Sequence, residues 1–162
     1  MSKIKELILD LVIADLERQI ATTCQGMNDA IAESTAHKGA MESRYDTFKE
    51  EAQYLAGAHN TRMQTLHNAL ATLKFLKTVC PATTKAGGYA IVEVEDLDDG
   101  VHTKYFLLPV GGGGAYDVGG EKLTTLSVNA PLGRALVGKV VDDEVEINIQ
   151  GMVRNLVVVS IT

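Results

Sequence analysis

Apolar residues recur at steps of three and four through residues 1–80, the spacing of helices that bury one stripe. In the first half, the stripe consists of Leu9, Ile13, Leu16, Ile20, Cys24, Met27 and Ile31. In the second half, the stripe consists of Phe48, Ala52, Leu55, His59, Met63, Leu66 and Leu70. Because the steps of one stripe mirror those of the other, the pattern predicts two helices that pair as an antiparallel coiled-coil hairpin.

The turn of this hairpin is predicted where the apolar pattern lapses. The mirror point of the two stripes falls between Gly39 and Ala40, and glycine supplies the backbone freedom that a chain reversal needs. Ser43 followed by Asp46 matches a capping-box variant that would begin the second helix, and Pro81 would end it. Each helix is then about 35 residues, or roughly 50 Å, long.

After residue 88 the pattern changes to short runs rich in β-branched and aromatic residues, which are typical of strands. The predicted strands are 89–94, 104–108, 123–128, 144–149 and 155–161, with one short helix at 131–137. The glycines at 111–114 and 119–120 predict a mobile loop. We therefore expect an α+β protein with a hairpin at 1–80, a linker at 81–88 and an antiparallel β domain at 89–162.

Charge and hydropathy narrow the functional classes. The formal net charge is −6, so strong direct nucleic-acid binding, which normally needs a basic face, is disfavoured. The sequence has neither a transmembrane stretch nor a signal-peptide pattern, so we expect a cytoplasmic protein. Cys24 in the stripe and Cys80 at the hairpin base would be roughly 35 Å apart, too far for a disulfide, so both are predicted to be free thiols.

Residues 126–147 carry a long motif, LSVNAPLGRALVGKVVDDEVEI. It resembles the C-terminal signature of the bacterial GreA/GreB transcription elongation factors, approximately S-P-L-x-R-A-L-x-G-K-x-x-G-D-E-V-x-V. The order of a helical hairpin followed by this module is also that family's. The resemblance implies a divergent Gre-like member, with an FKBP-like fold for the β domain at 89–162.

The resemblance also implies a partner, RNA polymerase. In this family the β domain docks on the rim of the polymerase's secondary channel, and the hairpin reaches down that channel towards the active centre. The matching docking positions are Ala130, Pro131 and Leu132, where Ala-Pro replaces the family's Ser-Pro. By this resemblance the protein is not an enzyme itself, binds no cofactor of its own and works as a monomer.

The tip of the hairpin departs from the family pattern. In cleavage-stimulating members, two acidic residues there help to hold the second Mg²⁺ of the polymerase, a hard cation that prefers oxygen ligands. Anchored on Tyr45, those positions fall on Lys38 and Met41, which cannot bind Mg²⁺. The nearest carboxylates, Glu42 and Asp46, are the tip candidates, because residues four apart share one helical face. Alternatively, Asp46 caps the second helix and Glu42 complements its dipole.

Three functions stay open on these grounds. The first is a factor that modulates transcript elongation and rescues backtracked complexes by stimulating the polymerase's own transcript cleavage. The second is a channel-binding regulator or inhibitor without cleavage activity. The third is a coiled-coil adaptor or dimerisation protein.

Overall fold

A computed structural model describes residues 2–36, 45–79, 84–149 and 151–162 of the 162-residue chain. Two long helices come first, α1 (Ser2–Ala36) and α2 (Tyr45–Val79), each of 35 residues. The elements that follow are β1 (Ile91–Asp96), β2 (His102–Leu108), β3 (Ala115–Val118), β4 (Glu121–Ser127), α3 (Pro131–Leu136), β5 (Glu144–Ile149) and β6 (Met152–Ile161). The predicted α+β class is confirmed. Within the described ranges, no helix is both long and apolar enough to cross a membrane.

The chain packs as two compact units. The first, called here the β unit, comprises Met1–Val12 and Thr72–Thr162, and the second, called the arm, comprises Ile13–Ala71. The first turns of α1 and the last turns of α2 therefore pack in the same unit as the sheet. The domain boundaries predicted at residues 80 and 88 stay a prediction.

Ala86 lies inside the predicted linker but is built into the core of the β unit. Its N–H donates to the carbonyl oxygen of Lys139 at 2.9 Å, and its own carbonyl accepts the N–H of Gly138 at 2.7 Å. At least this part of the predicted linker is therefore an ordered piece of the β unit.

In the arm, the predicted apolar stripe is confirmed at most positions whose side chains are described. The buried or half-buried members are Ile13, Leu16, Ile20, Met27, His59, Met63, Leu66 and Leu70. The prediction for Cys24 is wrong, because Cys24 is exposed and Thr23 is half-buried in its place. Two successive steps of four drift roughly 80° around a helix, whereas the step of three from Ile20 to Thr23 keeps the stripe straight.

The free thiol predicted for Cys24 is confirmed. Several other predictions lie outside the residues or side chains that the structure describes. They concern Ile31, Phe48, Ala52, Leu55, Cys80, the turn at 37–44 and the capping box of Ser43 and Asp46.

The sheet has six strands in the order β3-β4-β2-β1-β6-β5 among the described residues. The expectation of an entirely antiparallel sheet is wrong in one place, because β2 and β4 are parallel, with Lys104 opposite Leu123 and Leu108 opposite Ser127. The chain leaving β2 first forms β3 at the sheet edge, and β4 then returns as a hairpin into the space beside β2. The result is a mixed sheet.

The mobile loop expected around residues 111–120 is also corrected, because residues Ala115–Val118 form β3 and pair with β4. Gly119 and Gly120 connect the two strands, with φ of 68° and 85°. Two positive φ values in a two-residue loop are what a type I′ hairpin turn requires. The glycines that predicted mobility instead form a tight turn.

Both faces of β2 are buried, because Phe106, Leu107 and Leu108 are all inaccessible to solvent. Leu107 belongs to a core that includes Leu136 of α3. Phe106 and Leu108 point to the opposite face, since successive side chains of a strand alternate. On that face the ring of Phe106 meets the ring of Tyr89, and Lys5 of α1 lies over Tyr89. The first turns of α1 thus contact the face of the sheet opposite α3.

Candidate functional site

The loop that enters α3 is a tight, self-bonded turn. The N–H of Ala130 donates to the carbonyl oxygen of Ser127 at 3.0 Å, and the N–H of Asn129 donates to Ser127 Oγ at 3.2 Å. Ala130 has extended backbone angles and Pro131 follows as the first helical residue. Proline suits this position, because its fixed φ is helical and its missing N–H would have no helical partner. The loop is therefore preset before any partner binds.

Two glycines let this loop lie directly against the sheet. A Cβ on Gly133 would lie 2.0 Å from the carbonyl oxygen of Ser127, far inside any allowed contact. A Cβ on Gly112 would lie 2.7 Å from the nitrogen of Ser127, and its φ of 113° is itself unfavourable for other residues. Ser127 is thus enclosed on two sides by backbone, and α3 is seated on the end of β4.

The structure brings the three predicted docking residues together at the start of α3. Pro131 is exposed, and Ala130 beside it is half-buried. Leu132 is half-buried and packs against the core of the β unit. Pro131 can therefore contact a partner directly, whereas Leu132 fixes α3 to the sheet.

An apolar surface that the sequence motif does not mark follows α3. It consists of Val137, Val140 and Val141, which are 46%, 39% and 45% exposed, and is called here the valine ridge. Three exposed valines within five residues form an apolar cluster along the chain, which makes this segment a candidate interaction surface. The signal was present in the sequence as apolar residues interrupted by glycine and lysine in a segment too short for another strand.

The valine ridge is held by hydrogen bonds from its neighbours. Asp143 Oδ2 accepts the N–H of Val140 at 2.9 Å, and Lys139 Nζ donates to the carbonyl oxygen of Glu144 at 3.0 Å. Arg134 and Asp142, which are close to it in sequence and carry opposite charges, are also exposed. The ridge is therefore a hydrogen-bonded segment with exposed apolar side chains and exposed charged residues next to it in sequence.

The tip candidates lie at the limit of what the structure describes. Glu42 falls outside the described residues, as do Lys38 and Met41, while Asp46 lies in the first turn of α2. Their part in holding Mg²⁺ stays a prediction. In the part of the chain that is described, no group of three or more His, Cys, Asp or Glu side chains is arranged to hold a metal ion.

Comparison with known proteins identifies the region that contains this site. The family model described as "Transcription elongation factor, GreA/GreB, C-term" matches residues 82–162. The transcription elongation factor GreA of Syntrophus aciditrophicus is 31% identical over 127 residues, 78% of this chain and 73% of that protein. GreA of Chlorobium phaeobacteroides is 34% identical over 121 residues, 74% of this chain and 70% of that protein. A solved structure of the transcription factor Gfh1 is 18% identical and gives a TM-score of 0.40 over 93% of this chain and 92% of that one.

Proposed function

The chain belongs to the GreA/GreB family of transcription elongation factors, and we propose that it binds RNA polymerase at the rim of the secondary channel and modulates transcript elongation. The observation that carries the proposal is the exposed Pro131 at the start of α3, on a loop fixed by Ser127 and Gly133. A preset loop loses little conformational entropy on binding, which favours specific docking.

The proposed docking surface combines Pro131 with the valine ridge. Pro131 and the ridge belong to one short stretch, 131–141, of the β unit. An apolar strip with charged groups around it gains free energy from burial while its rim sets the register of the partner. We therefore assign the contact with polymerase to α3 and the turn after it.

The long helices supply reach. A helix of 35 residues spans roughly 50 Å. A hairpin of that length is a costly way to build a core, because it buries little surface per residue. A hairpin of this length could extend from the rim of the polymerase's secondary channel towards the active centre, which would explain why it is so long.

The residues at the tip favour a second candidate, a channel-binding regulator without cleavage activity. Lys38 and Met41 stand where cleavage-stimulating members are expected to have carboxylates, and neither side chain is a ligand for Mg²⁺. Under the first candidate, Glu42 and Asp46 would have to hold the ion of the polymerase instead.

Binding is tested by co-sedimentation with core RNA polymerase. Val140→Asp and Pro131→Glu are expected to weaken binding at least about tenfold, since each places a charge in an apolar contact. Val101→Asp is the matched control, because Val101 is even more exposed than Val140 but lies in the turn before β2. Failure of the unaltered protein to bind would overturn the proposed function, and equal binding by all variants would relocate the docking surface.

Cleavage is tested on stalled, backtracked elongation complexes. If the tip carboxylates act on the polymerase's Mg²⁺, Glu42→Ala and Asp46→Ala abolish stimulated cleavage while binding persists. If the protein binds without stimulating cleavage, the second candidate is correct, and Lys38→Asp with Met41→Glu is expected to introduce cleavage. A coiled-coil adaptor would instead sediment as a dimer and leave the polymerase unbound.

A further inference from the structure

Two unusual residues of the β unit meet each other on the face of the sheet opposite α3. Lys5 is a lysine with only 7% of its surface exposed. Tyr89 is a fully buried tyrosine with a φ of 83°, a value that bulky residues rarely adopt. The Lys5 ammonium lies 5.0 Å from the centre of the Tyr89 ring. That distance is within the range of a cation–π interaction.

The backbone of Tyr89 is held in its strained conformation by the sheet. Its N–H donates to the carbonyl oxygen of Leu107 at 2.7 Å, and the next residue, Ala90, donates to Gly87 at 3.0 Å. Its ring meets the ring of Phe106 edge-on at 5.6 Å and 62°. The ring is thus fixed from the sheet side, with Lys5 over it.

Strain of this kind persists only where the surroundings compensate for it. Glycine adopts a positive φ without strain. Position 89 nevertheless carries tyrosine, and the glycine of this turn is at the preceding position, Gly88. Burial of the Lys5 charge is likewise unfavourable unless the charge has a partner. The Tyr89 ring is one partner of the Lys5 charge, and the backbone hydrogen bonds of Tyr89 and Ala90 hold the positive φ.

We propose that Lys5 and Tyr89 form a latch that fixes the first turns of α1 on the sheet. The neighbouring Ile8 and Leu9 are fully buried, and Asp10, five residues after Lys5, is ion-paired with Lys77 of α2. Burial of the apolar side chains stabilises the contact between α1 and the sheet. The latch fixes the orientation of α1, because a cation–π contact requires the charge over the face of one ring. When the latch is broken, α1 opens from the sheet locally while the rest of the β unit stays folded.

Amide hydrogen exchange of the full-length protein measures this local opening directly. Lys5→Met keeps the length and apolar volume of the side chain but removes its charge. It is expected to raise exchange in residues 6–12 by about 5- to 30-fold, which corresponds to the 1–2 kcal/mol of a desolvated cation–π pair. Exchange in β5, which lies at the far edge of the sheet, is expected to stay unchanged. Lys3→Met is the matched control, because Lys3 is exposed on the same helix.

The ring is tested separately, so that loss of folding cannot be mistaken for loss of the latch. Phenylalanine at position 89 keeps the π face and is expected to leave exchange unchanged, whereas progressively fluorinated phenylalanines keep the shape but weaken the negative face. Exchange in residues 6–12 is expected to rise with each added fluorine in the presence of Lys5 and to stay flat in the Lys5→Met background. Lys5→Arg retains the cation and is expected to restore protection.

The latch is overturned if Lys5→Met behaves like Lys3→Met, or if fluorination has no effect. It is also overturned if Tyr89→Phe alone opens α1, because the hydroxyl would then hold the helix. None of these measurements involves the polymerase, so their outcome is independent of the proposed function.

Discussion

Gly133 lies where α3 crosses the end of β4, and its missing side chain lets the two elements touch. Because an added Cβ would sit 2.0 Å from the carbonyl oxygen of Ser127, Gly133→Ala is expected to lower the free energy of unfolding by about 3 kcal/mol. It should also weaken polymerase binding, since the loop before Pro131 must shift. Chemical denaturation and co-sedimentation measure the two effects.

Gly26 provides the control for that substitution. It lies inside α1 with nothing within 4 Å of an added Cβ. Gly26→Ala is therefore expected to stabilise the protein by about 0.5–1 kcal/mol through helix propensity alone. Equal effects at both glycines would contradict the close contact between α3 and β4.

Lys104 and Tyr105 make the stability of the protein depend on alkaline pH. A hydrogen bond to Glu121, 3.0 Å away, raises the pKa of Lys104 above its usual 10.5, and burial raises the pKa of Tyr105 above its usual 10.0. The folded protein therefore keeps these protons at a pH where the unfolded chain releases them. These two groups are expected to leave the free energy of unfolding unchanged below about pH 10 and to lower it as pH rises through their folded-state pKa values.

Denaturation curves between about pH 8 and pH 11 measure this dependence. Lys104→Met and Tyr105→Phe should each remove part of the decline, because each removes one group whose protonation differs between the two states. A decline of the same steepness in both variants would assign the effect to other groups.

At the scale of elements, β3 depends on a hydrogen bond from the next strand. Thr125 Oγ1 accepts the N–H of Gly114 at 3.1 Å and donates to its carbonyl oxygen at 3.0 Å, and Thr125 is buried. Thr125→Val leaves the side-chain shape but removes this pair, at an expected cost of about 1–3 kcal/mol. Faster exchange of the β3 amides would show where the loss falls.

Thr124 is the matched control, because it is half-buried in the same strand. Thr124→Val is expected to be nearly neutral, since valine favours strands as much as threonine does. If both variants lose the same stability, the hydrogen bonds between Thr125 and Gly114 do not stabilise the start of β3.

Comparison of the elements shows what local sequence can and cannot predict. Long periodic helices and alternating strands follow from residue spacing, so α1, α2 and β5 were predicted closely. β3 was missed because glycine content outweighed the alternation of Tyr116, Asp117 and Val118, although Gly119-Gly120 is a recognised hairpin signal. The parallel pairing of β2 with β4 depends on which strand occupies the position beside β2 in the sheet. That choice is made by contacts between distant parts of the chain, so no local sequence pattern predicts it.

The candidate site likewise has features that the sequence predicts and features that depend on three-dimensional contacts. Ala130, Pro131 and Leu132 were found by resemblance to a family motif, because nothing in their composition marks them as a docking loop. That Pro131 is exposed while Leu132 packs inward depends on the contact of Gly133 with β4. Such a contact joins residues through the sheet and is visible only in three dimensions.

At the scale of the whole molecule, the sheet depends on the ends of the long helices. A fragment of residues 84–162 lacks α1 and is expected to expose Tyr89, Phe106 and Leu108, which are fully buried in the full chain. Exposed apolar area of that kind promotes association. Sedimentation and hydrophobic-dye binding should therefore show an aggregating fragment.

A shortened chain provides the comparison, with residues 1–12 joined to 72–162 through a brief Gly-Ser turn. It retains every segment of the β unit and is expected to remain monomeric and folded. A monomeric 84–162 fragment with a cooperative thermal transition would contradict this dependence.

The packing of α1 and α2 ends with the sheet also determines which part of the protein is interchangeable. A hairpin exchanged between relatives at the linker would leave its own first turns facing a foreign sheet, with Lys5 and Tyr89 mismatched. The segment that can be transplanted is Ile13–Ala71, with both junctions inside continuous helices. Recombination or engineering that exchanges the tip would thus preserve the contact between the helix ends and the sheet only when the crossover points fall within α1 and α2.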